Sequence, residues 1–300
     1  QVGEDDKAVS LLLDWVNTFP NDAYAYVKLL SHPKAKTSVV NFASVVNEGL
    51  VRFADNDLYN LLAVQYVIDW QMSEKAKTIL DRVSAKSKES QLWNNQMGRY
   101  LLLKGELAEA APYLTKAYEN EPSFFHLQQR VNVSAGQMKT TEAISLIDSH
   151  IAQQPNDVFA KMLKADVLIW QQPKAAITEF KKLLDEYPLN ALAMNNLAWV
   201  LLQQGSLNEA RQYAEKAVDL FPSNPNFLDT LAQTYMREKN FDAAVELLKL
   251  AVDQKPADYA IYFNYADTLK EVGRKRDGLV LLKGLRVNDQ KLNAEIQKRI

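Results

Sequence analysis

The sequence predicts an all-α fold, a solenoid of stacked helix-turn-helix hairpins. Four observations point there. An alanine is followed twelve residues later by a proline at Ala8/Pro20, Ala110/Pro122, Ala143/Pro155, Ala176/Pro188, Ala210/Pro222 and Ala244/Pro256. Stepping through residues 8, 42, 76, 110, 143, 176, 210, 244 and 278 gives a beat of 33 or 34 residues along the chain. Each period holds two apolar stripes at helical spacing. Glycine is scarce, nine in 300 residues, which disfavours hairpin-rich β folds and glycine-rich phosphate loops.

The period around residues 190–225 shows the physical basis. Met194, Leu197, Ala198 and Leu201 fall at i, i+3, i+4 and i+7 and form one apolar face; Ala210, Tyr213, Ala214, Ala217 and Leu220 form a second. Small residues at Ala198, Ala210 and Ala217 let two helix backbones approach closely. Gly205 is expected to close the first helix and Asn208-Glu209 to open the second, and Pro222 prevents its continuation.

Taken in order, residues 1–20 read as the second helix of a truncated repeat. Gly3 precedes Ala8 by five, as Gly105 precedes Ala110, which places a turn at the start and makes "QVGEDDKAV" look like the interior of a longer array. Residues 21–88 read as two atypical units. The first has an irregular turn, "SHPKAKTS", with Phe42 where alanine is expected; the second lacks its proline. Residues 89–287 read as six regular units, one of which carries a longer turn, "GQMKTTEA". Residues 288–300, "NDQKLNAEIQKRI", have the polar pattern of a C-terminal capping helix.

Composition excludes several function classes. The formal charge is −2 and the pI about 6.0, so nothing favours nucleic acid or an anionic membrane surface. With no cysteine, disulfides, zinc-thiolate sites and thiol catalysis are absent. No run of about 18 apolar residues spans a membrane. His32, His126 and His150 sit in three different periods with no metal-ligand spacing. No nucleophile elbow, phosphate loop or cofactor motif occurs, so neither catalysis nor a cofactor is expected. Trp15 falls where other second helices place small residues and reads as core. Arg274-Lys275-Arg276 reads as a solvated turn, and the sequon Asn132-Val133-Ser134 as a chance match.

The repeated residues resemble the tetratricopeptide repeat. Its Leu-Gly/Ala, large residue, Ala, Ala, Pro pattern appears as Leu197-Ala198, Leu201, Ala210, Ala217 and Pro222. It recurs as Leu231-Ala232, Tyr235, Ala244, Ala251 and Pro256, and as Met97-Gly98, Leu101, Ala110, Ala117 and Pro122. The resemblance implies a right-handed superhelical α-solenoid whose concave wall is made by first helices, with a protein or peptide partner held in that groove. By matching phase, the wall residues are Asn95, Arg99, Phe159, Met162, Trp170, Asn195, Trp199, Gln203, Gln233, Arg237, Phe263 and Lys270, expected to be exposed. The Lys/Asn set with which some family members clamp a carboxylate is not present as a connected group.

Over about residues 190–275 the chain most resembles the C-terminal repeats of bacterial cell-envelope tetratricopeptide lipoproteins of exosortase/PEP-CTERM and exopolysaccharide systems. That likeness implies a periplasmic or outer-membrane-associated scaffold whose partners include polysaccharide-export components. The alternatives are the periplasmic repeat region of a cellulose or other exopolysaccharide exporter, and a cytosolic adaptor or co-chaperone.

Overall fold

The computed structural model describes residues 2–285 and 290–299. Among them are nineteen α-helices, one short 3-10 turn and no strand, so the fold is an α-solenoid. The chain divides into two compact units, Gln1–His150 and Ile151–Ile300.

The first unit holds α1 (Val2–Thr18), α2 (Ala23–Ser31), α3 (Ala35–Ser38), α4 (Phe42–Arg52), α5 (Asp57–Asp69) and α6 (Ser73–Arg82). After a 3-10 turn at Ser87–Glu89 come α7 (Gln91–Lys104), α8 (Leu107–Asn120), α9 (Phe124–Gly136) and α10 (Thr140–Gln153), whose last turn crosses the boundary. One continuous apolar core runs from Val9 to Val133. Its N-terminal half is aromatic where later repeats are small. Phe42 meets Tyr66 edge to face at 4.8 Å, and Tyr26, Phe53 and Tyr59 pack in the same way at 5.0–6.0 Å. The buried hydroxyls are satisfied: Tyr59 donates to the Val46 carbonyl at 3.0 Å and Tyr66 to that of Leu30 at 2.7 Å. Burial pushes the Tyr59 phenol well above its ordinary range. The irregular turn after α2 is the one-turn helix α3.

The second unit holds α11 (Val158–Leu168), α12 (Pro173–Glu186), α13 (Ala191–Gln203), α14 (Leu207–Leu220), α15 (Pro225–Arg237), α16 (Phe241–Asp253), α17 (Tyr259–Glu271), α18 (Lys275–Gly284) and α19 (Gln290–Arg299). Successive helices pack against one another, and first helices also meet each other, α13 with α15 and α15 with α17. The alanines of the repeat, Ala176, Ala198, Ala210, Ala217, Ala232, Ala244 and Ala251, are fully buried at helix crossings. Leu197 and Leu201 fill the space beside them, and full burial of a leucine contributes about 1.5–3 kcal/mol.

Two backbone devices set the period. Every first helix opens on a side chain that accepts from its own N-terminal N–H groups: Asp22, Asn56, Ser90, Ser123, Asp157, Asn190, Asn224 and Asp258. These caps recur at 33 or 34 residues even through 21–88, where the proline beat falters. The turn to the second helix passes through a left-handed residue at Gln71, Gly105, Met138, Gly205, Lys239 and Gly273. In each, the next N–H donates to a carbonyl five residues back, as Ser206 does to Leu201 at 2.9 Å and Asn240 to Tyr235 at 2.9 Å. The α11–α12 turn lacks such a residue; there Pro173 starts α12 directly.

Three expectations are corrected. Gly3 lies inside α1, which begins at Val2, not in a turn. The "GQMKTTEA" turn is not longer than the others: Gly136 stays helical and Met138 takes the left-handed step, so only residues 137–139 separate α9 from α10. The second helix of the 190–225 period opens at Leu207, with Asn208 already within it. Of the predicted cap, residues 288, 289 and 300 lie outside the described residues, as do 286 and 287 at the end of the preceding segment; α19 covers 290–299.

Candidate functional site: the first-helix wall

The wall is built from first helices, and its polar residues flank the buried small residues of those helices, as Arg99 follows Gly98 and Asn196 precedes Ala198 by two. In the first unit these groups neutralise one another. Asp69 at the end of α5 takes Lys36 at 3.3 Å and Arg99 of α7 at 2.6 Å. Arg99 also donates to Gln96 at 3.2 Å and lies over the Phe125 ring at 5.7 Å. Arg99 is therefore a strut between first helices.

In the second unit the wall is polar and aromatic. Asp166 of α11 accepts from Asn196 of α13 at 3.0 Å, and Asn196 Oδ1 lies 3.5 Å from the Asn195 amide nitrogen. Asp229 of α15 accepts from Gln233 at 2.6 Å and from Asn264 of α17 at 2.8 Å. Burial holds both carboxyls above the usual carboxylate range, with the amide hydrogen bonds opposing it. Trp170, expected on a first helix, lies instead in the turn between α11 and α12, where it meets Trp199 of α13 edge to face with centroids 5.3 Å apart. With Ile169, Pro173, Val200 and Gln203 they line a cleft of about 180 Å³. Trp170 is 81% exposed and Phe159, eleven residues earlier, 58%.

The predicted wall residues thus divide. Phe159, Trp170, Gln203, Arg237 and Lys270 are exposed, and Arg99, Met162, Trp199 and Gln233 half-buried. Asn95, Asn195 and Phe263 are buried, against expectation. The two asparagines point into helix packing, and each leaves its Oδ1 without a donor. Phe263 lies beneath α19: it packs with Ala266, Leu282 and Ile296, and the Arg299 guanidinium sits 4.6 Å from its ring. Arg299 also reaches Asp267 at 3.5 Å, so α19 occupies the place a further first helix would take.

Asn196 and Asn264, which hold the two aspartates, were not singled out by sequence. The signal was present, since Gln96, Asn196 and Asn264 all stand two residues before the small residues Gly98, Ala198 and Ala266.

The histidines have structural settings. His150 is fully buried, its Nδ1 2.8 Å from the Tyr118 hydroxyl. His126 Nδ1 lies 3.0 Å from the Glu121 carbonyl and 3.1 Å from Ser123 Oγ, and His32 Nδ1 accepts from the Lys34 N–H. Trp15 is half-buried against Tyr24, and Arg274 pairs with Asp277 at 2.8 Å. In the sequon, Ser134 is buried and donates to Glu142. Among the described residues no group of three or more His, Cys, Asp or Glu is placed to hold a metal, and no helix is long and apolar enough to cross a membrane.

Paired helices, small residues at their crossings and a polar wall of first helices define a helical-repeat architecture of the kind that binds proteins. Two tetratricopeptide-repeat family models match the sequence, over residues 171–225 and 201–258, so that part of the chain carries tetratricopeptide repeats. No curated protein matches it. Solved structures share the fold. PilW, a widely conserved type IV pilus biogenesis factor, aligns at TM-score 0.54 and 15% identity over 69% of this chain and 98% of its own. A tetratricopeptide repeat protein from Parabacteroides merdae aligns at 0.52 and 17% identity, over 70% and 86%. The APC/C hetero-tetramer Cut9-Hcn1 aligns at 0.53 and 14% identity, over 98% of this chain and 59% of that one.

Proposed function

We propose that this chain is a non-catalytic scaffold that grips a segment of a protein partner along the first-helix wall of its second unit. The aromatic set of exposed Phe159 and Trp170 with half-buried Trp199 carries this reading. The Trp170 and Trp199 rings beside their cleft, amid polar groups that fix orientation, are what a partner's anchor residues engage. The setting is the bacterial cell envelope, periplasmic or outer-membrane-associated, in exopolysaccharide or PEP-CTERM protein export. The run from about residue 190 to 275 supports that assignment by its likeness to envelope tetratricopeptide lipoproteins; the shared fold of PilW agrees with it.

Two measurements test this. Affinity capture from envelope extracts with the parent chain and with a Phe159→Ala/Trp170→Ala/Trp199→Ala variant of unchanged helicity should show a partner lost by the variant. Retention of every partner would remove the wall as the working surface. Fractionation of cells expressing the tagged native gene should place the protein with the envelope; recovery in the cytosol would end the export assignment.

A further inference from the structure

Resting on that reading of the wall, we infer that its second-unit part recognises cationic side chains, the lysines or arginines of an extended partner segment. The two units supply the contrast. In the first, Asp69 is neutralised by Lys36 and Arg99. In the second, Asp166 is held only by the neutral amide of Asn196, and Asp229 only by those of Gln233 and Asn264. No cation among the described residues is within ion-pair distance of either. The neighbouring lysines of α11 are engaged on the other side, Lys161 with Glu186 and Lys164 with Glu179 at 3.3 Å. Arg237 and Lys270 are exposed, and Arg237 lies eight residues along α15 from Asp229, about 12 Å at the helical rise.

Amide donors satisfy the hydrogen-bonding capacity of a carboxylate but leave its charge, and a charge withdrawn from water without a counter-ion is costly. Asp229 is 9% exposed. Burial raises both carboxyls, as an uncompensated charge requires. A second observation points to the same ligand chemistry. Asn195, at the end of the Asn195–Asn196–Asp166 chain, is 8% exposed and its Oδ1 has no donor. The Asp166–Asn196–Asn195 chain therefore ends on a buried acceptor with no donor among the described residues. Trp170 lies in the turn that follows α11, four residues past Asp166, and its exposed ring offers the aromatic face on which guanidinium and ammonium groups stack best. A lysine or arginine supplies donors, charge and stacking together; an acidic segment would meet like charge.

The test uses the whole chain and fluorescein-labelled ten-residue peptides on one Gly/Ser scaffold, bearing three arginines, three citrullines (the neutral isostere) or three glutamates. Anisotropy at low salt should show the arginine peptide binding at least about tenfold tighter than the others. Asp166→Asn with Asp229→Asn should cut that affinity about tenfold at unchanged helicity while leaving the citrulline peptide unaffected. No binding of the arginine peptide, equal binding of the citrulline or glutamate peptide, or full affinity in the Asn variant would each overturn the inference. The two readings fail separately. If the Asn variant captures the partner as the parent does while the aromatic triple variant does not, cation recognition falls and the wall stands. If neither variant loses the partner, both fall.

Discussion

Gly205 and Lys239 occupy the same step of the inter-helix turn one repeat apart, both left-handed, at φ 80° and 62°. The turn geometry is a property of the repeat, and glycine is only one way to meet it. A side chain in that region costs roughly 1–2 kcal/mol through its Cβ, partly offset by the extra chain entropy that glycine loses on folding. Lys239→Gly should therefore stabilise the second unit by up to about 1 kcal/mol, and Gly205→Ala should destabilise it by a similar amount. Urea denaturation midpoints measure both, and a lower midpoint for Lys239→Gly would contradict the turn assignment.

The first-helix caps make a second prediction. Asn224 accepts from the N–H groups of Asn226 and Phe227, and Asn190 from that of Ala193. Replacing either by alanine should cost about 1 kcal/mol, because the orphaned N–H groups lose their acceptor. Each repeat leans mainly on its neighbours, so amide exchange should rise in the affected helix and the adjoining ones, not evenly along the chain. Uniform acceleration would count against that locality.

Close helix approach can be tested at Gly98. A Cβ there would fall 2.5 Å from the Leu114 side chain of α8. Gly98→Ala should cost about 1–3 kcal/mol by overpacking, and should cost markedly less in a Leu114→Ala background, where the leucine no longer fills that space. Additive losses in the double mutant would show that the two residues do not compete for one volume.

Two aspartates should respond oppositely to acid. Burial raises Asp229, so the folded protein holds that proton more tightly than the unfolded chain does. Stability from this group grows as pH falls through its folded pKa, and stops growing below the ordinary value of about 3.9. Asp57 is depressed by hydrogen bonds from Ser84 and Ser87, so its contribution is present above the ordinary value and is lost as pH falls toward its folded pKa. Between pH 7 and pH 4, Asp229→Asn should therefore gain less stability, or lose more, than the parent. Below about pH 4, Asp57→Asn should be the less acid-sensitive. Parallel stability–pH curves for the parent and both variants would refute these assignments.

The helical class and the beat were legible because alanine at close crossings and proline after a helix are both forced by sterics and leave a residue-type signature. The caps leave a signal in the sequence that was not singled out, since Asp22, Asn56 and Ser90 keep phase where the prolines do not. The left-handed steps were legible only where glycine fills them; Gln71, Met138 and Lys239 tolerate the strain and give no local sign of it. Wall exposure was the hardest to read. Phase places Asn195 and Phe263 beside Trp199 and Lys270 on a helical wheel, but whether a face meets solvent depends on the next element in space. For Phe263 that element is α19, some thirty residues downstream.

The most direct measurement is site-specific photo-crosslinking in cells, with a benzophenone amino acid placed at Phe159 or Trp199 on the first-helix wall and at Leu250 or Val280 on second helices, both exposed. The wall positions should yield one shared adduct and the second-helix positions none. An adduct from Leu250 or Val280 with nothing at Phe159 and Trp199 would place the working surface on the other side of the repeats.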